Sequence, residues 1–151
     1  QAAALQIARV AGMTTFSRAM RVHFEDCDPA GIIFYPRFFA LVNRLVEDWF
    51  ADELGQSFKA LHVDQRKGVP TVQFACDFQA PLRLGDTADM RLTVAHLGTS
   101  SCQLLIEARL SDKPAAKFEQ TIVYTDLNAM KSEPWPEELR TNINRFTKSA
   151  S

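Results

Sequence analysis

Residues 36–54 contain no glycine and, after Pro36, no proline, and most of their positions are apolar. Phe38, Phe39, Leu41, Val42, Leu45, Val46, Trp49 and Phe50 leave only a thin polar stripe of Arg37, Asn43, Arg44, Glu47 and Asp48. A helix that is apolar nearly all round belongs in a core rather than on a surface, and this one constrains everything else the chain can do. Pro36 suits its first turn, where a missing N–H costs nothing, and Gly55 is placed to stop it. Just upstream, Asp28-Pro29 initiates a turn, because the residue before proline is pushed out of the helical region. Gly31 then gives the backbone freedom to close that turn. The reading is a carboxylate on a loop that leads into the N-terminal end of a buried helix. Such an end carries unpaired N–H groups and a partial positive charge.

The remaining chain reads mainly as strands. Residues 16–25 alternate through Phe16, Met20, Val22 and Phe24, and residues 69–81, 87–97, 101–110 and 116–126 follow as four more strand-like runs. Gly85-Asp86, residues 98–100 and residues 111–115 are the turns between them. Residues 57–67 read as a short helix or structured loop. Pro134 and Pro136 before Glu137 and Glu138 give helix-start chemistry near the C-terminus. The order of strand, apolar helix and four antiparallel strands predicts an α+β fold: a curved antiparallel sheet of about five strands wrapped round a long central helix. Residues 1–15 are set aside as an N-terminal extension, with Met13 a candidate start, and 16–151 form the single domain. The second face and the edges of such a sheet call for partners, so a dimer is expected.

Composition narrows the function classes. Seventeen basic and eighteen acidic residues give a formal net charge of −1, which offers no footprint for nucleic acid or an anionic membrane. No stretch is apolar for long enough to span a bilayer, and residues 1–12 make a poor signal peptide. Cys27, Cys76 and Cys102 are odd in number and widely spaced; they argue against a disulfide framework and a zinc site and suit a reducing cytoplasm. Cys27 reads as a small apolar filler rather than a nucleophile. The sequence holds no nucleophile elbow, P-loop or dinucleotide fingerprint.

The run Asp26-Cys27-Asp28-Pro29-Ala30-Gly31-Ile32-Ile33-Phe34-Tyr35-Pro36 resembles the signature of the 4-hydroxybenzoyl-CoA thioesterase family of hotdog-fold acyl-CoA thioesterases. The resemblance extends over residues 16–126 and implies an acyl-CoA thioester hydrolase acting on an aromatic or short-chain acyl group. It implies Asp28 as nucleophile or general base and the Tyr35 backbone amide as an oxyanion donor. Pro29, Ala30, Gly31, Phe34 and Val72 would meet the substrate, and Gly98, Thr99, Ser100 and Ser101 the coenzyme A arm. The family has active sites at the interfaces of a homodimer or homotetramer and needs neither metal nor cofactor, coenzyme A being part of the substrate. It places a basic cluster at the 98–101 hairpin for the nucleotide phosphates. This chain has Leu97, Gly98 and Thr99 there, which leaves Arg91, Lys113 or Lys117 as candidates.

Rival readings stay beside this one. Asp28 can be a plain turn residue accepting backbone N–H bonds, and Asp26 is a second candidate carboxylate. Glu47 and Asp48 match a hotdog branch that uses a helix carboxylate, yet they read better as a solvated or salt-bridged face. A hotdog hydratase or dehydratase pairs a histidine with a carboxylate, and none of His23, His62 and His96 lies in the loop before the helix. A non-catalytic acyl-CoA-binding module is the alternative from another class.

Overall fold

The structure, a computed structural model, describes residues 6–10 and 13–147, with side chains from Thr14 onward. Nine strands and two helices follow in order: β1 (Gln6–Val10), β2 (Met13–Arg21), α1 (Arg37–Asp52), β3 (Lys67–Gly68), β4 (Thr71–Phe78), β5 (Thr87–Leu97), β6 (Ser101–Leu110), β7 (Lys113–Val123), β8 (Thr125–Asp126), β9 (Lys131–Ser132) and α2 (Glu137–Asn144). Six of them form one sheet in the order β1-β2-β5-β6-β7-β4, antiparallel throughout. β3, β8 and β9 form a small second sheet.

Strand alternation works as read. Ala88, Met90, Leu92 and Val94 of β5, Cys102, Leu104, Ile106 and Ala108 of β6, and Ala116, Phe118 and Ile122 of β7 are buried on one face. α1 lies against that face through Phe38, Leu41, Val42, Leu45, Val46, Trp49 and Phe50. Phe38 meets Phe118 at 5.7 Å and Phe78 at 5.5 Å between ring centroids, and Phe39 meets Phe74 at 5.0 Å. At its other end α1 is tied to β2, where Arg18 pairs with Asp48 at 3.0 Å and Asp52 at 2.6 Å.

Several boundaries and one burial expectation change. β2 stops at Arg21 rather than running to residue 25, because Asp26 folds back and its Oδ2 accepts the His23 N–H at 2.9 Å, closing a 3-10 turn at Phe24–Asp26. The strand read at 116–126 is broken at Tyr124, whose N–H donates to the Ser100 carbonyl and whose ring packs on Trp135. Residues 57–67 contain a wide helical turn at Lys59–Asp64. Within the stretch set aside as an extension, Gln6–Val10 pairs with β2 and supplies the sixth strand; residues 1–5, 11 and 12 lie outside the described residues. α1 is sixteen residues long and buries one face only, with Phe39, Ala40, Asn43, Arg44 and Glu47 exposed. The sheet's second face needs no cover either. Arg91, Glu107, Lys117 and Asp77 stand opposite one another across β5, β6, β7 and β4, an alternating row of charge that water and neighbouring partners satisfy.

The Phe38–Phe118 contact is the joint between helix and sheet, and Phe118 is 1% exposed. Phe118→Ala should lower the unfolding free energy by about 3–5 kcal/mol, read by urea denaturation at fixed protein concentration. Phe39→Ala, at an exposed position, should cost well under half of that.

Candidate active site

The loop between β2 and α1 is built almost wholly from backbone hydrogen bonds. Gly31, with φ +78°, closes a tight turn in which its N–H donates to the Asp28 carbonyl at 2.9 Å and the Asp28 N–H donates to the Ile32 carbonyl at 3.0 Å. A side chain at Gly31 would be strained in that left-handed conformation. The segment before β5 holds the turn from outside: the Ile33 N–H donates to the Leu82 carbonyl, and the Leu84 N–H to the Gly31 carbonyl. The Phe34 N–H in turn donates to the Asp26 carbonyl. Pro36 then caps α1, which starts at Arg37.

The two candidate carboxylates have different surroundings. Asp26 is 4% exposed; its Oδ2 takes the His23 N–H, and its Oδ1 faces the Arg37 guanidinium at 3.3 Å. Both oxygens are committed to holding the loop against the first turn of α1. Asp28 is half-buried. One oxygen accepts the Ala30 N–H at 2.9 Å, and among the described residues the other takes no protein donor. The turn role and a chemical role are therefore compatible in Asp28, through different oxygens.

The amides that begin α1 separate in the same way. Those of Phe34, Arg37 and Phe38 donate to the carbonyls of Asp26, Phe34 and Tyr35. Among the described residues the Tyr35 amide donates to no carbonyl, and it sits where the helix dipole favours negative charge. Beside it the Tyr35 ring stacks on Phe34 at 5.6 Å and meets Phe78 edge-on at 6.2 Å. Ile32, Tyr35, Phe38, Phe78, Pro81 and Leu82 line an open apolar groove of about 590 Å³ between this loop and the end of β4.

Asp28, Pro29, Ala30, Gly31, Phe34 and Tyr35 are thus together on one loop. Val72 and the 98–101 hairpin are not with them. The registers Arg21↔Thr87, Ala88 pairing with Met20, and Phe78↔Ala116 put the Asp28 loop at one end of the sheet. The registers Leu97↔Cys102 and Thr71↔Ile122 put the hairpin and the start of β4 at the opposite end. Along β5 the two ends are separated by about 30 Å of strand. Arg140 Nη2 donates to the Gly98 carbonyl at 2.6 Å, and the Trp135 indole and backbone N–H groups donate to Ser101 and Thr99. A Cβ on Gly98 would stand 2.6 Å from the Ser101 hydroxyl, which would have to rotate away. Of the phosphate candidates, Arg91 pairs with Asp89 at 2.8 Å and lies with Lys117 in the charge row of the outer face.

The surroundings of Cys27 disfavour a thiolate. Burial, together with the Asp26 and Asp28 carboxylates, pushes its thiol up from the ordinary range, and its Sγ lies 3.5 Å from the His23 carbonyl. His23 and His96 are exposed, and His62 packs on Phe58, so no histidine joins the Asp28 turn. Sequence reasoning passed over Gln120. It points inward between Phe118 and Ile122 on β7 and is buried, and a glutamine on the apolar face of an alternating strand is a signal that was available.

Comparison with known proteins agrees with this geometry. The family model of the thioesterase-like superfamily matches residues 22–143. The 1,4-dihydroxy-2-naphthoyl-CoA hydrolase of Synechocystis is 26% identical over 133 residues, covering 87% of this chain and 96% of that protein. A gentisyl-coenzyme A thioesterase of known structure is 27% identical, with a TM-score of 0.75 over 82% of this chain and 98% of that one. A Staphylococcus aureus protein solved in complex with CoA has a TM-score of 0.82 over 95% of this chain and 92% of its own, at 15% identity, a likeness of fold alone. The resemblance to 4-hydroxybenzoyl-CoA thioesterases holds at the coarser level, because these relatives are named for other aromatic acyl groups. With the matched region running from the end of β2 into α2, the chain belongs to the thioesterase-like superfamily, whose fold is the hotdog.

Proposed function

We propose that the protein hydrolyses the thioester of an aromatic acyl-coenzyme A, with Asp28 as the catalytic carboxylate and the Tyr35 amide as the oxyanion donor. The observation that carries this reading is the pairing of one uncommitted Asp28 oxygen with one uncommitted amide at the start of α1. Thioester hydrolysis needs a base or nucleophile and a fixed donor for the developing oxyanion. Acting as base, Asp28 takes a proton from water as the water oxygen bonds to the thioester carbon. The oxyanion so formed is held by the Tyr35 N–H at the positive end of the helix. Collapse of the intermediate breaks the carbon–sulfur bond, and the departing thiolate recovers the proton from Asp28. Acting instead as nucleophile, Asp28 bonds to the thioester carbon and expels the coenzyme A thiolate, which takes a proton from water. A second water opens the mixed anhydride, releasing the acid and the Asp28 carboxylate, and the oxyanion donor is the same. The aromatic acyl class is supported by the relatives' names and by the exposed rings of Tyr35 and Phe78 along the groove, with Phe34 stacked on Tyr35.

The active unit in this reading is a pair of chains. β4 is an edge strand of eight residues with one charge, Asp77, and almost every position exposed. An unprotected edge of that kind pairs with another strand. Antiparallel pairing of β4 with its own copy about a two-fold axis at Ala75 sets Phe78 of one chain opposite Val72 of the other. The Val72 end of one protomer then adjoins the Asp28 loop of its partner, and the two groups of site residues that lie apart within a single chain converge.

Asp28→Asn keeps the shape and the Ala30 hydrogen bond but removes the basicity. Turnover of benzoyl- or hydroxybenzoyl-CoA, followed by release of free thiol, should fall at least roughly a hundredfold, while Glu47→Gln on the exposed face of α1 stays close to wild type. Normal turnover in Asp28→Asn would place the carboxylate elsewhere. Absence of thiol release from every acyl-CoA would favour the non-catalytic binding module.

Light scattering at micromolar concentration should give two or four copies. Ala75→Lys, which brings like charges together across the paired edge, should shift the protein toward monomer and lower turnover in step. A fully active monomer would remove the composite site.

A further inference from the structure

A second cavity, of about 190 Å³, lies near the start of β4, between the middle of α1 and the sheet. Val46, Phe58, Val69, Ile122 and Leu127 make its walls apolar, and Gln120 and Thr71 put an amide and a hydroxyl into it. Gln120 is 2% exposed, and its Nε2 donates to the Thr71 hydroxyl at 2.8 Å. No protein group among the described residues reaches its Oε1. Turning the amide over changes nothing essential, because the threonine hydroxyl both donates and accepts and one amide end stays unpaired either way. His62, also on the wall, has Nδ1 3.0 Å from the Phe58 carbonyl. A carbonyl only accepts, so Nδ1 donates to it, and in that tautomer Nε2 is a second acceptor.

Buried polar groups in native proteins are paired, and one that is not points to a partner from outside the chain. The partner here has to be flat and mostly apolar to suit the walls. It also needs a polar group that serves an amide of either orientation and an imidazole acceptor. A ring hydroxyl does both. A carboxylate has no proton for the imidazole acceptor and serves the amide in one orientation only, and an aliphatic tail leaves the amide unpaired. The size is right for one substituted ring, since a cavity of about 150 Å³ already accepts benzene.

We propose that this cavity is the acyl subsite and that Gln120 selects acyl rings bearing a hydroxyl. The proposal rests on the aromatic acyl-CoA reading and on the β4 pairing, which turns Pro70 and Thr71 at this cavity toward the partner's Asp28 loop and apolar groove. The ring of a substrate whose thioester lies at Asp28 of one chain reaches Gln120 of the other. Thr71 holds one end of the amide so that the other end is fixed before the ring arrives, and the recognition is a difference between rings rather than general affinity. A site that hydrogen-bonds a substrate hydroxyl rejects the analogue without it, because its own buried group is then left unpaired.

The test compares kcat/KM for benzoyl-CoA with that for the 2-, 3- and 4-hydroxybenzoyl-CoA isomers, in wild type and in Gln120→Met. Methionine keeps the length and approximate volume without the amide. For wild type at least one hydroxylated isomer should be preferred by roughly tenfold or more, and in Gln120→Met that ratio should fall to about one. Wild-type protein that does not distinguish any isomer from benzoyl-CoA overturns the proposal and leaves the thioesterase reading intact, and that arm holds even where the variant does not fold. An undiminished preference in folded Gln120→Met overturns it as well. If no acyl-CoA is hydrolysed, the thioesterase reading falls instead. Calorimetric titration with hydroxybenzoate and benzoate then decides the subsite alone: a hydroxyl preference lost in Gln120→Met supports it, and equal binding of the two acids overturns it.

Discussion

The first turn of α1 is held in place from two sides, and the chemistry of the site depends on that seating. On one side the buried Asp26 carboxylate joins the 3-10 turn to Arg37. On the other, Phe38 is wedged between Phe118 and Phe78. Slipping the helix by one residue would rotate its N-terminal amides by about 100°. The Tyr35 N–H would then leave the groove. A buried carboxylate that serves only as a clamp is what allows its neighbour two residues on to keep an oxygen free. The two aspartates of the motif differ in how far the protein commits their oxygens, and the difference follows from burial.

The same seating explains why the loop can be short and rigid without a core of its own. Its turn is closed by Gly31 and by the Asp28 side chain, and its outer flank is paired to residues 82 and 84. The amides of Asp28, Ala30, Gly31, Ile33 and Phe34 are all satisfied locally, which suits a loop that lies partly buried. The amide of Tyr35 donates to no carbonyl among the described residues, and it stands at the positive end of a helix. An unmatched donor at such a point is a preorganised one, because nothing has to move to free it.

Charge and edge define the assembly. The outer face of the sheet carries Arg91, Glu107, Lys117 and Asp77 in register, so that face is content in water. The strand β4 has no such protection: it lies at the end of the six-stranded order, with Val72 and Phe78 exposed. An unprotected edge of this kind is open to pairing with another strand, and the proposed pair extends the sheet along that edge. In that pair the site would be divided between two copies.

Much of this was legible in the residues alone. Alternation identified five strands of the main sheet but neither β1 nor the small second sheet. The Asp28-Pro29-Ala30-Gly31 turn and Pro36 located the loop and the helix start, and Pro136-Glu137-Glu138 located α2, because each of these signals is local and acts over one or two turns of chain. The roles of Asp26 and Asp28 were not separable by sequence, since both are acidic residues in one short loop, and only the packing of Arg37 and His23 around the first distinguishes them. Nor did sequence alone exclude a buried surround for α1: Phe39 and Ala40 are apolar in composition yet exposed, because the helix covers one face of one sheet. The separation of Val72 and the 98–101 hairpin from Asp28 is likewise a matter of register. Strand pairing sets residues far apart in sequence side by side and holds nearer ones at opposite ends. Where Gln120 ends up, with Thr71 at one end of its amide and no partner among the described residues at the other, was decided by tertiary structure, because a hydrogen bond between residues 49 positions apart exists only once β4 and β7 are paired.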